Sequence, residues 1–326
     1  MLRSRLIKTR ASRFPLYREL PVLALTLLLP LTVQAQASRR PSSAAAAVRA
    51  TGALKVVTGQ AGSVVFINNV RHGTTNDKGE LDLPRVLAGS YQARVRTVGY
   101  SDWAGPVVIA ASASRTLKVT QQPANDQATL HYQKGDALRD KGQNKDAVTE
   151  YQQALTLRPL FPEARISYAR SLITLQDFQE SEKQIQAAIK NGGRLLAEAQ
   201  TVLANLRRNQ GLVEESILEY RKALRLARGN SFEAHIGLAI ALNEMAESRN
   251  NPRLIDEIAR EYRTGIAQDM ETEPILYYQL GEILEKAGRN KEAIEAYRNY
   301  LRLDPEGEFA SAVESVIEQL KQPDKQ

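Results

Sequence analysis

The sequence predicts a small all-β sandwich followed by an all-α repeat solenoid, and three observations support this fold class. Short runs of β-forming residues, separated by turn residues, fill positions 51 to about 120. From residue 128 onwards the sequence resembles itself at a period close to 34 residues, which is typical of stacked helix pairs. Ahead of both segments lies a basic and then apolar stretch, which separates the N-terminus from the folded part.

The N-terminal segment has the order of features of a secretory signal peptide. Six basic residues precede the apolar run Pro21–Val33, which leads into small residues at Ala35 and Ala37. This run has thirteen residues and contains Pro30, whereas a membrane-spanning helix needs about 20 apolar residues. We therefore predict a cleaved signal peptide over residues 1–37 and an exported, periplasmic protein. The alternative is an uncleaved signal that anchors the chain in the inner membrane, which a long basic region favours.

Charge and cysteine content exclude several classes of function. The 326-residue chain has a net charge of +7, and cleavage after Ala35 removes five net positive charges and leaves +2. Charges of both signs are then mixed along the chain, so we expect no nucleic-acid partner, which would require a basic patch or stripe. The chain has no cysteine, which excludes disulfides, thiolate metal ligands and a lipid-modified cysteine.

The segment after the signal peptide changes character twice. Residues 38–50 are rich in arginine, proline, serine and alanine and predict a linker. Residues 51–121 alternate polar and apolar positions and predict a sandwich of about seven strands. Asn68-Asn69 and Asn76–Gly79 are turn candidates between these strands, because they contain residues that tolerate positive φ.

The β segment resembles two related families of extracytoplasmic sandwich, the PEGA domain and the carboxypeptidase regulatory-like domain. The PEGA-like features are Gly52-x-Leu54-x-Val56, Val65-x-Ile67-Asn68, Gly73-Thr74, Leu87-x-Gly89-x-Tyr91 and Val98-Gly99-Tyr100. Thr75–Leu81 is more similar to the turn of the regulatory-like family, and the proline of the PEGA motif is missing near Gly62. The sequence features are therefore compatible with either family. Either resemblance implies a spacer or binding module without an active site.

Residues 127–322 carry a recurring set of small and aromatic positions. In the first unit, which starts at Ala128, these are Gly135, Gly142, Ala147, Tyr151, Ala154 and Pro159. The spacing from Ala147 to Ser181 is 34 residues and from Ser181 to Ser216 is 35. This pattern resembles the tetratricopeptide repeat, in which small residues lie where two antiparallel helices cross and tyrosine fills the adjoining gap.

The C-terminal part of the array predicts two further repeats and a cap. A unit that starts near Pro274 matches the pattern closely, apart from Tyr300 at a position where a small residue is usual. The unit before it is lengthened at Glu247–Pro252, between its two helices. Phe309–Lys321 carries apolar residues on one helical face and predicts a capping helix. The sequence therefore predicts about five repeats closed by a cap.

The resemblance to the repeat family implies that the first helix of each pair lines an inner face, which holds a peptide or a partner helix. The inner-face positions that it implies are Tyr132, Asp136, Arg139, Ile166, Arg170, Ile173, Thr201, Asn205, Arg208, Tyr278, Glu282 and Glu285. The three arginines form either a line of guanidinium forks for a partner's carboxylates or ordinary solvated charges. The two tyrosines either anchor a partner or pack on neighbouring helices.

Catalytic machinery is not expected. His72, His131 and His235 are the only histidines and have no metal-ligand spacing, and no nucleotide-binding loop or nucleophile elbow is present. We therefore predict no catalytic, cofactor or metal site. The predicted function is a non-enzymatic periplasmic scaffold or adaptor that binds a protein partner in a cell-envelope assembly. The alternative is a module whose β domain binds peptidoglycan or another polysaccharide through Tyr100 and Trp103.

Overall fold

The structure is a computed structural model and describes residues 50–191, 193–269 and 273–321. The predicted signal peptide over residues 1–37 and nearly all of the predicted linker lie outside the described residues. Within the described ranges, seven β-strands are followed by eleven α-helices. The predicted fold class, a β-sandwich followed by a helical repeat array, is confirmed.

The strands form two sheets. They are β1 (Thr51–Val57), β2 (Val64–Ile67), β3 (Val70–Thr74), β4 (Glu80–Leu87), β5 (Gly89–Arg96), β6 (Trp103–Ile109) and β7 (Ser114–Lys118). One sheet has the order β4-β1-β7, and the other has the order β3-β2-β5-β6. Strand β1 runs antiparallel to β4 and parallel to β7, whereas the neighbours in the four-stranded sheet are all antiparallel.

Alternation along the strands builds the core between the two sheets. In β1 every second residue is buried, including Leu54 and Val56, because successive side chains of a strand point to opposite faces. These residues pack in one cluster with Val65 of β2 and Val95 of β5. Full burial of such a side chain contributes about 1.5–3 kcal/mol, so this cluster is the main source of cohesion between the two sheets.

The turn residues adopt the conformations that the sequence predicts. Asn68 and Asn69, between β2 and β3, have φ values of 49° and 68°. The side-chain oxygen of Asn76 accepts hydrogen bonds from the backbone N–H groups of Lys78 at 2.9 Å and Glu80 at 3.1 Å. Asparagine closes both turns because its short polar side chain tolerates left-handed backbone or bonds the chain locally.

The helices form five antiparallel pairs and a cap. They are α1 (Gln127–Asp140), α2 (Asn144–Leu157), α3 (Pro162–Thr174), α4 (Phe178–Asn191), α5 (Leu196–Asn209), α6 (Val213–Leu226), α7 (Phe232–Arg249), α8 (Ile255–Gln268), α9 (Pro274–Lys286), α10 (Asn290–Leu303) and α11 (Ala310–Lys321). Helices α1, α3, α5, α7 and α9 are the first helices of the pairs. None of the helices in the described ranges is long and apolar enough to cross a membrane.

Tyrosine rings explain the small residues at the helix crossings. A Cβ atom on Gly135 would lie 2.7 Å from the ring of Tyr151, and one on Gly281 would lie 2.4 Å from the ring of Tyr297. Both tyrosines are buried. Since a carbon atom needs about 3.5 Å to its neighbour, only glycine lets these two helix pairs close on their tyrosine.

The fourth repeat takes up its extra residues in a longer first helix. Helix α7 extends to Arg249, and Asn250 then ends it in left-handed conformation with φ of 47°. A 3₁₀ turn at Pro252–Leu254 follows before α8 begins. The lengthened connection therefore leaves the helix pair intact.

The cap explains why the last repeat has a large residue at Tyr300. This side chain is 2% exposed, and its hydroxyl oxygen accepts a hydrogen bond from the backbone N–H of Phe309 at 3.1 Å. Helix α11 buries Val313 and Ile317 against the array. The tyrosine therefore packs between Tyr278 and Phe309 and helps to hold the chain that leads into the cap.

Candidate functional site

The first helices of the repeats contact each other through long polar side chains, and the surface that they form is termed the inner face. Arg170 on α3 donates both terminal nitrogens to the carboxylate of Glu233 on α7, with Nη2 2.7 Å from Oε2. Asn205 on α5, between these helices, donates its amide to the same carboxylate at 2.8 Å. Three successive first helices therefore meet at one carboxylate.

Similar contacts continue towards the C-terminus. Nη1 of Arg208 on α5 donates to Oε1 of Glu244 on α7 at 3.0 Å. Nζ of Lys286 on α9 donates to Oε1 of Glu247 on α7, also at 3.0 Å. These contacts connect the first helices of neighbouring repeats. Polar side-chain contacts therefore join the inner face from the second to the fifth repeat.

Glu233 is ionised at neutral pH in this arrangement. Burial alone raises the pKa of its carboxyl group, but the charge of Arg170 and the hydrogen bonds from Arg170 and Asn205 lower that pKa overall. The pKa of Arg170 is raised above its ordinary value, because the nearby carboxylates outweigh the effect of its burial. Both groups are therefore charged, and they form a true ion pair.

The guanidinium groups of the three predicted inner-face arginines are all paired with carboxylates of the chain itself. Arg170 and Arg208 contact Glu233 and Glu244, as described above. Arg139 on α1 lies 3.4 Å from the carboxylate of Asp136 and 3.7 Å from that of Asp140. Each guanidinium thus has a carboxylate of the same chain as its neighbour, and a partner's carboxylate would have to compete with it.

Three of the predicted inner-face residues lie partly or wholly within the helix stack. Ile166 is 2% exposed and Thr201 is 1% exposed, so their side chains support the packing of α3 and α5. Ile173 is half-buried and packs against the cluster of the second and third repeats. Open surface on these helices comes from their polar positions, including Arg170, Asn205 and Arg208.

The β domain covers the inner face of the first repeat. Arg96 at the end of β5 donates to Asp136 on α1 and to Asp102, with Nη2 3.0 Å from Oδ2 of Asp102. Its guanidinium lies 4.6 Å from the ring centroid of Tyr132. The hydroxyl of Tyr151 donates to the second oxygen of Asp136 at 2.7 Å. Tyr132 and Asp136, both predicted as groove positions, are therefore buried in the junction between the two domains.

Backbone contacts add to this junction. The side-chain amide of Gln133 donates to the carbonyl of Tyr100 at 2.7 Å and accepts from the N–H of Gly99 at 3.1 Å. Arg71 on β3 lies 3.3 Å from the carboxylate of Asp140 at the end of α1. The sequence offered no signal for these residues, because their partners are 33 or more residues away.

Electrostatics at the junction keep Asp136 ionised. Burial raises the pKa of this carboxyl group, but Arg139, Arg96 and the hydroxyl donors, including Tyr151, lower it overall. Burial also raises the pKa of Tyr132, so its hydroxyl stays protonated. A buried carboxylate is stable here because two guanidinium groups and a phenol hydroxyl surround it.

The C-terminal end of the inner face differs in charge. The carboxylate of Glu282 on α9 accepts from the hydroxyl of Tyr278 at 3.0 Å, and that of Glu285 accepts from the hydroxyl of Tyr297 at 2.6 Å. Within the described ranges neither carboxylate has an ion-pair partner. The ring of Tyr278 stacks on Phe309 with centroids 4.5 Å apart. This end therefore presents two carboxylates, each bonded to a tyrosine hydroxyl, beside an aromatic ring.

The fourth repeat supplies inner-face residues that the sequence analysis missed. Glu233 and Glu244 on α7 pair with the arginines, and half-buried Ile240 lies one turn before Glu244 on the same side of the helix. The lengthened connection of this repeat obscured the alignment. An alignment of Ala239 with the small residue of the other first helices puts Glu233 and Glu244 at inner-face positions.

Two of the three histidines are bonded to glutamates of the repeat helices, and the third is largely buried in the β domain. Nδ1 of His131 lies 2.7 Å from Glu150, and Nδ1 of His235 lies 2.6 Å from Glu261. Burial lowers the pKa of His72 to about 4, so its ring is neutral at physiological pH. In the part of the chain that the structure describes, no group of three metal-ligating side chains comes together.

The two aromatic residues of the polysaccharide alternative have structural contacts. Trp103 on β6 packs against the core of the sandwich. Tyr100 pairs through its backbone with Pro123, and its carbonyl group accepts from Gln133 in the junction. The Trp103 ring is therefore partly used in the sandwich core, whereas the contacts of Tyr100 involve its backbone.

Comparison with known proteins supports the repeat architecture. One tetratricopeptide-repeat family model matches residues 132–194 and 169–231, and a second such model matches residues 274–306. The chain thus carries tetratricopeptide repeats. The matched ranges leave out residues 232–273, which contain the lengthened fourth helix pair. No curated protein matches this chain.

Several solved structures are similar over the helical part. The tetratricopeptide-repeat protein TTC0263 of Thermus thermophilus is 20% identical, with 58% of this chain and 98% of that chain covered and a TM-score of 0.45. YrrB, a repeat protein described as having an unusual peptide-binding site, is 15% identical, with 58% and 93% covered and a TM-score of 0.41. PilF of Pseudomonas aeruginosa is 12% identical, with 60% and 89% covered and a TM-score of 0.47.

Proposed function

We propose that the protein is a non-enzymatic scaffold or adaptor of the periplasm, whose repeat array holds a segment of a partner protein in a cell-envelope assembly. The observation that carries this proposal is the inner face of the second to fifth repeats. Its half-exposed charged and polar side chains are held across repeats by Glu233, Glu244 and Glu247. The periplasmic location rests on the predicted signal peptide.

A surface of this kind suits binding because its side chains are already ordered. Arg170, Asn205 and Arg208 have fixed partners before any ligand arrives. Ordering a flexible side chain on association costs about 0.5–1.5 kcal/mol, and this cost is avoided where the side chain is held in advance. Stacked helix pairs in general present such elongated surfaces to peptides and to partner helices.

The β domain has a supporting role in this proposal. Through Arg96 and Gln133 it closes the first repeat, so the binding surface begins at the second repeat. The packing of Trp103 and the junction position of Tyr100 give the polysaccharide alternative no supporting observation among the described residues.

Site-specific photocrosslinking tests the proposed surface. A photoreactive phenylalanine analogue is placed at Ile173 or at Asn243, which lie on the inner side of α3 and α7, in the full chain expressed in its own cells. The matched controls carry the analogue at Gln153 or Leu218, which are exposed on second helices. We expect one partner protein to crosslink at both inner positions and at neither outer one. Crosslinks at outer positions alone, or none at any position, would contradict the proposal.

Cell fractionation tests the proposed location. The full chain is expected in the periplasmic fraction, whereas a chain that lacks residues 1–37 is expected in the cytoplasm. The matched control substitutes Arg3 and Arg5 with glutamine and keeps the apolar run, and it should still be exported because several basic residues remain. Retention of the full chain in the membrane fraction after a carbonate wash would indicate the anchored alternative.

A further inference from the structure

Charge is distributed unevenly along the inner face. In the second and third repeats, as the structure describes them, Arg170 and Arg208 each have a carboxylate within 3.5 Å, and Arg170 has two, from Glu233 and Glu198. This part of the surface is therefore close to neutral. An acidic group of a partner at Arg170 would have to displace the carboxylate of Glu233, which binds the guanidinium in bidentate geometry.

The last repeat is different, because its carboxylates form no close ion pair in the described residues, and the only cation whose charge acts on Glu282 from the same helix is Lys286, which is bonded to Glu247. Glu282 and Glu285 each receive one hydrogen bond from a tyrosine hydroxyl, and no ion pair involves them in the described part of the chain. The nearest lysine on the same helix, Lys286, donates to Glu247. A carboxylate has about four lone-pair sites, so most of the acceptor capacity of both groups is unused.

An aromatic group adjoins these carboxylates and is held rigidly. The ring of Tyr278 stacks on Phe309 at 4.5 Å and meets Tyr300 edge-on at 5.9 Å. Its hydroxyl is committed to Glu282 at 3.0 Å. Phe309 covers one face of the Tyr278 ring, so a partner's ammonium or guanidinium group would meet the other face, whose partial negative charge attracts cations.

We propose that this surface, formed by Tyr278, Glu282 and Glu285 and termed the α9 surface, binds a lysine or arginine side chain of the partner. The partner segment is then basic where it crosses the last repeat. Charge complementarity favours a basic occupant, since it neutralises two carboxylates that the chain itself leaves without an ion pair in the described ranges. This inference rests on the proposed function and adds to it the chemical character of the partner.

The uneven charge of the inner face also sets the direction of the partner segment. A basic group is favoured at the α9 surface and gains little at the arginines of the second and third repeats, where cations already lie. The end of the segment that is basic therefore belongs over the fifth repeat. The β domain blocks the opposite end of the inner face at Asp136 and Tyr132.

A peptide titration tests the α9 surface. The probe is a fluorescein-labelled peptide of alternating lysine and alanine, followed by fluorescence anisotropy, with the same peptide carrying glutamine for lysine as reference. The variant is Glu282→Gln with Glu285→Gln, which keeps an acceptor for each tyrosine hydroxyl. The matched control is Glu295→Gln with Glu314→Gln, which removes two exposed charges from α10 and α11.

The two variants are expected to differ. We expect the lysine peptide to bind the Glu282/Glu285 variant about tenfold more weakly than the wild type, and the control variant within about twofold of it. Equal loss in both variants, or no binding of the lysine peptide to the wild type, would overturn the inference. Thermal melting followed by circular dichroism verifies that both variants are folded.

The photocrosslinking experiment separates this inference from the proposed function. In a chain with the analogue at Asn243, the Glu282/Glu285 substitutions should reduce the crosslinked partner about tenfold, in line with the peptide titration. An undiminished crosslink would overturn the basic character of the partner and leave inner-face binding intact. If the chain with unsubstituted Glu282 and Glu285 gave no crosslink at the inner positions, that result would instead contradict the proposed function.

Discussion

Replacing Asp136 with alanine tests whether the β domain and the repeat array are joined by a buried ion pair. Arg96 is 8% exposed and Asp136 is 6% exposed, so neither charge is well solvated. In the Asp136→Ala variant the guanidinium of Arg96 retains only Asp102, which is 32% exposed. The hydroxyl of Tyr151 also loses its acceptor.

The expected loss of stability follows from these contacts. Removing one partner of a buried ion pair costs about 3–5 kcal/mol, since the other charge is left in a poorly solvated site. Because Asp102 still compensates part of the charge on Arg96, we expect the lower end, about 3 kcal/mol in the free energy of unfolding. Replacement of Arg96 by methionine together with Asp136 by leucine should recover part of this loss, because the guanidinium of Arg96 is then no longer left in a poorly solvated site, although the Tyr151 hydroxyl still lacks its acceptor.

Urea unfolding with two probes measures this effect. Trp103, the only tryptophan, reports on the β domain, and circular dichroism reports on the helices. In the wild type the two transitions should coincide, and Asp136→Ala should lower the midpoint of both. Arg71→Met serves as control, since it removes an ion pair in which the side chain of Arg71 is 46% exposed and that of Asp140 is 30% exposed. Loss of this exposed pair is expected to lower the free energy of unfolding by less than about 1 kcal/mol. A cost for Asp136→Ala no larger than that of the control would refute the reasoning.

Two further predictions concern packing. Burial lowers the pKa of His235, but bonds to Glu261 and the Gly229 carbonyl raise it overall. Its contribution to stability is complete below an unfolded-state pKa of about 6.5 and is lost as pH rises through the higher folded-state pKa. Urea unfolding should show this loss in the wild type and not in His235→Gln. Gly281→Ala should destabilise the fifth repeat by about 1–3 kcal/mol through overlap with Tyr297. Thermal melting would contradict this if the variant were as stable as the wild type.

The repeat architecture could be predicted because its signals are local. The spacing of Gly135 and Tyr151 follows from the contact that one helix pair makes, and the same contact recurs at Gly281 and Tyr297 in the fifth repeat. The turns at Asn68-Asn69 likewise depend on two adjacent residues. Patterns of this kind are visible along the chain, and both were interpreted correctly from it.

The binding surface was predicted less completely because its character depends on distant residues. The sequence placed Arg170 on the inner face but offered no indication that Glu233, 63 residues later, takes up its guanidinium. It likewise did not indicate that Arg96, 40 residues before Asp136, would bury that carboxylate. A residue's position on a helix face is set by helical periodicity, whereas its partner is set by the stacking of the repeats.

The sequence by itself determined the order of a β-sandwich and helix pairs, the glycine and tyrosine contacts within the first and fifth pairs and the capping helix, since each of these depends on spacing within about one repeat. Only the tertiary structure decided which inner-face charges remain available. Stacking places Glu233 and Glu244 beside the arginines, and the β domain covers Asp136. Glu282 and Glu285 have no ion pair in the described residues, and Phe309, just before α11, stacks on the neighbouring Tyr278.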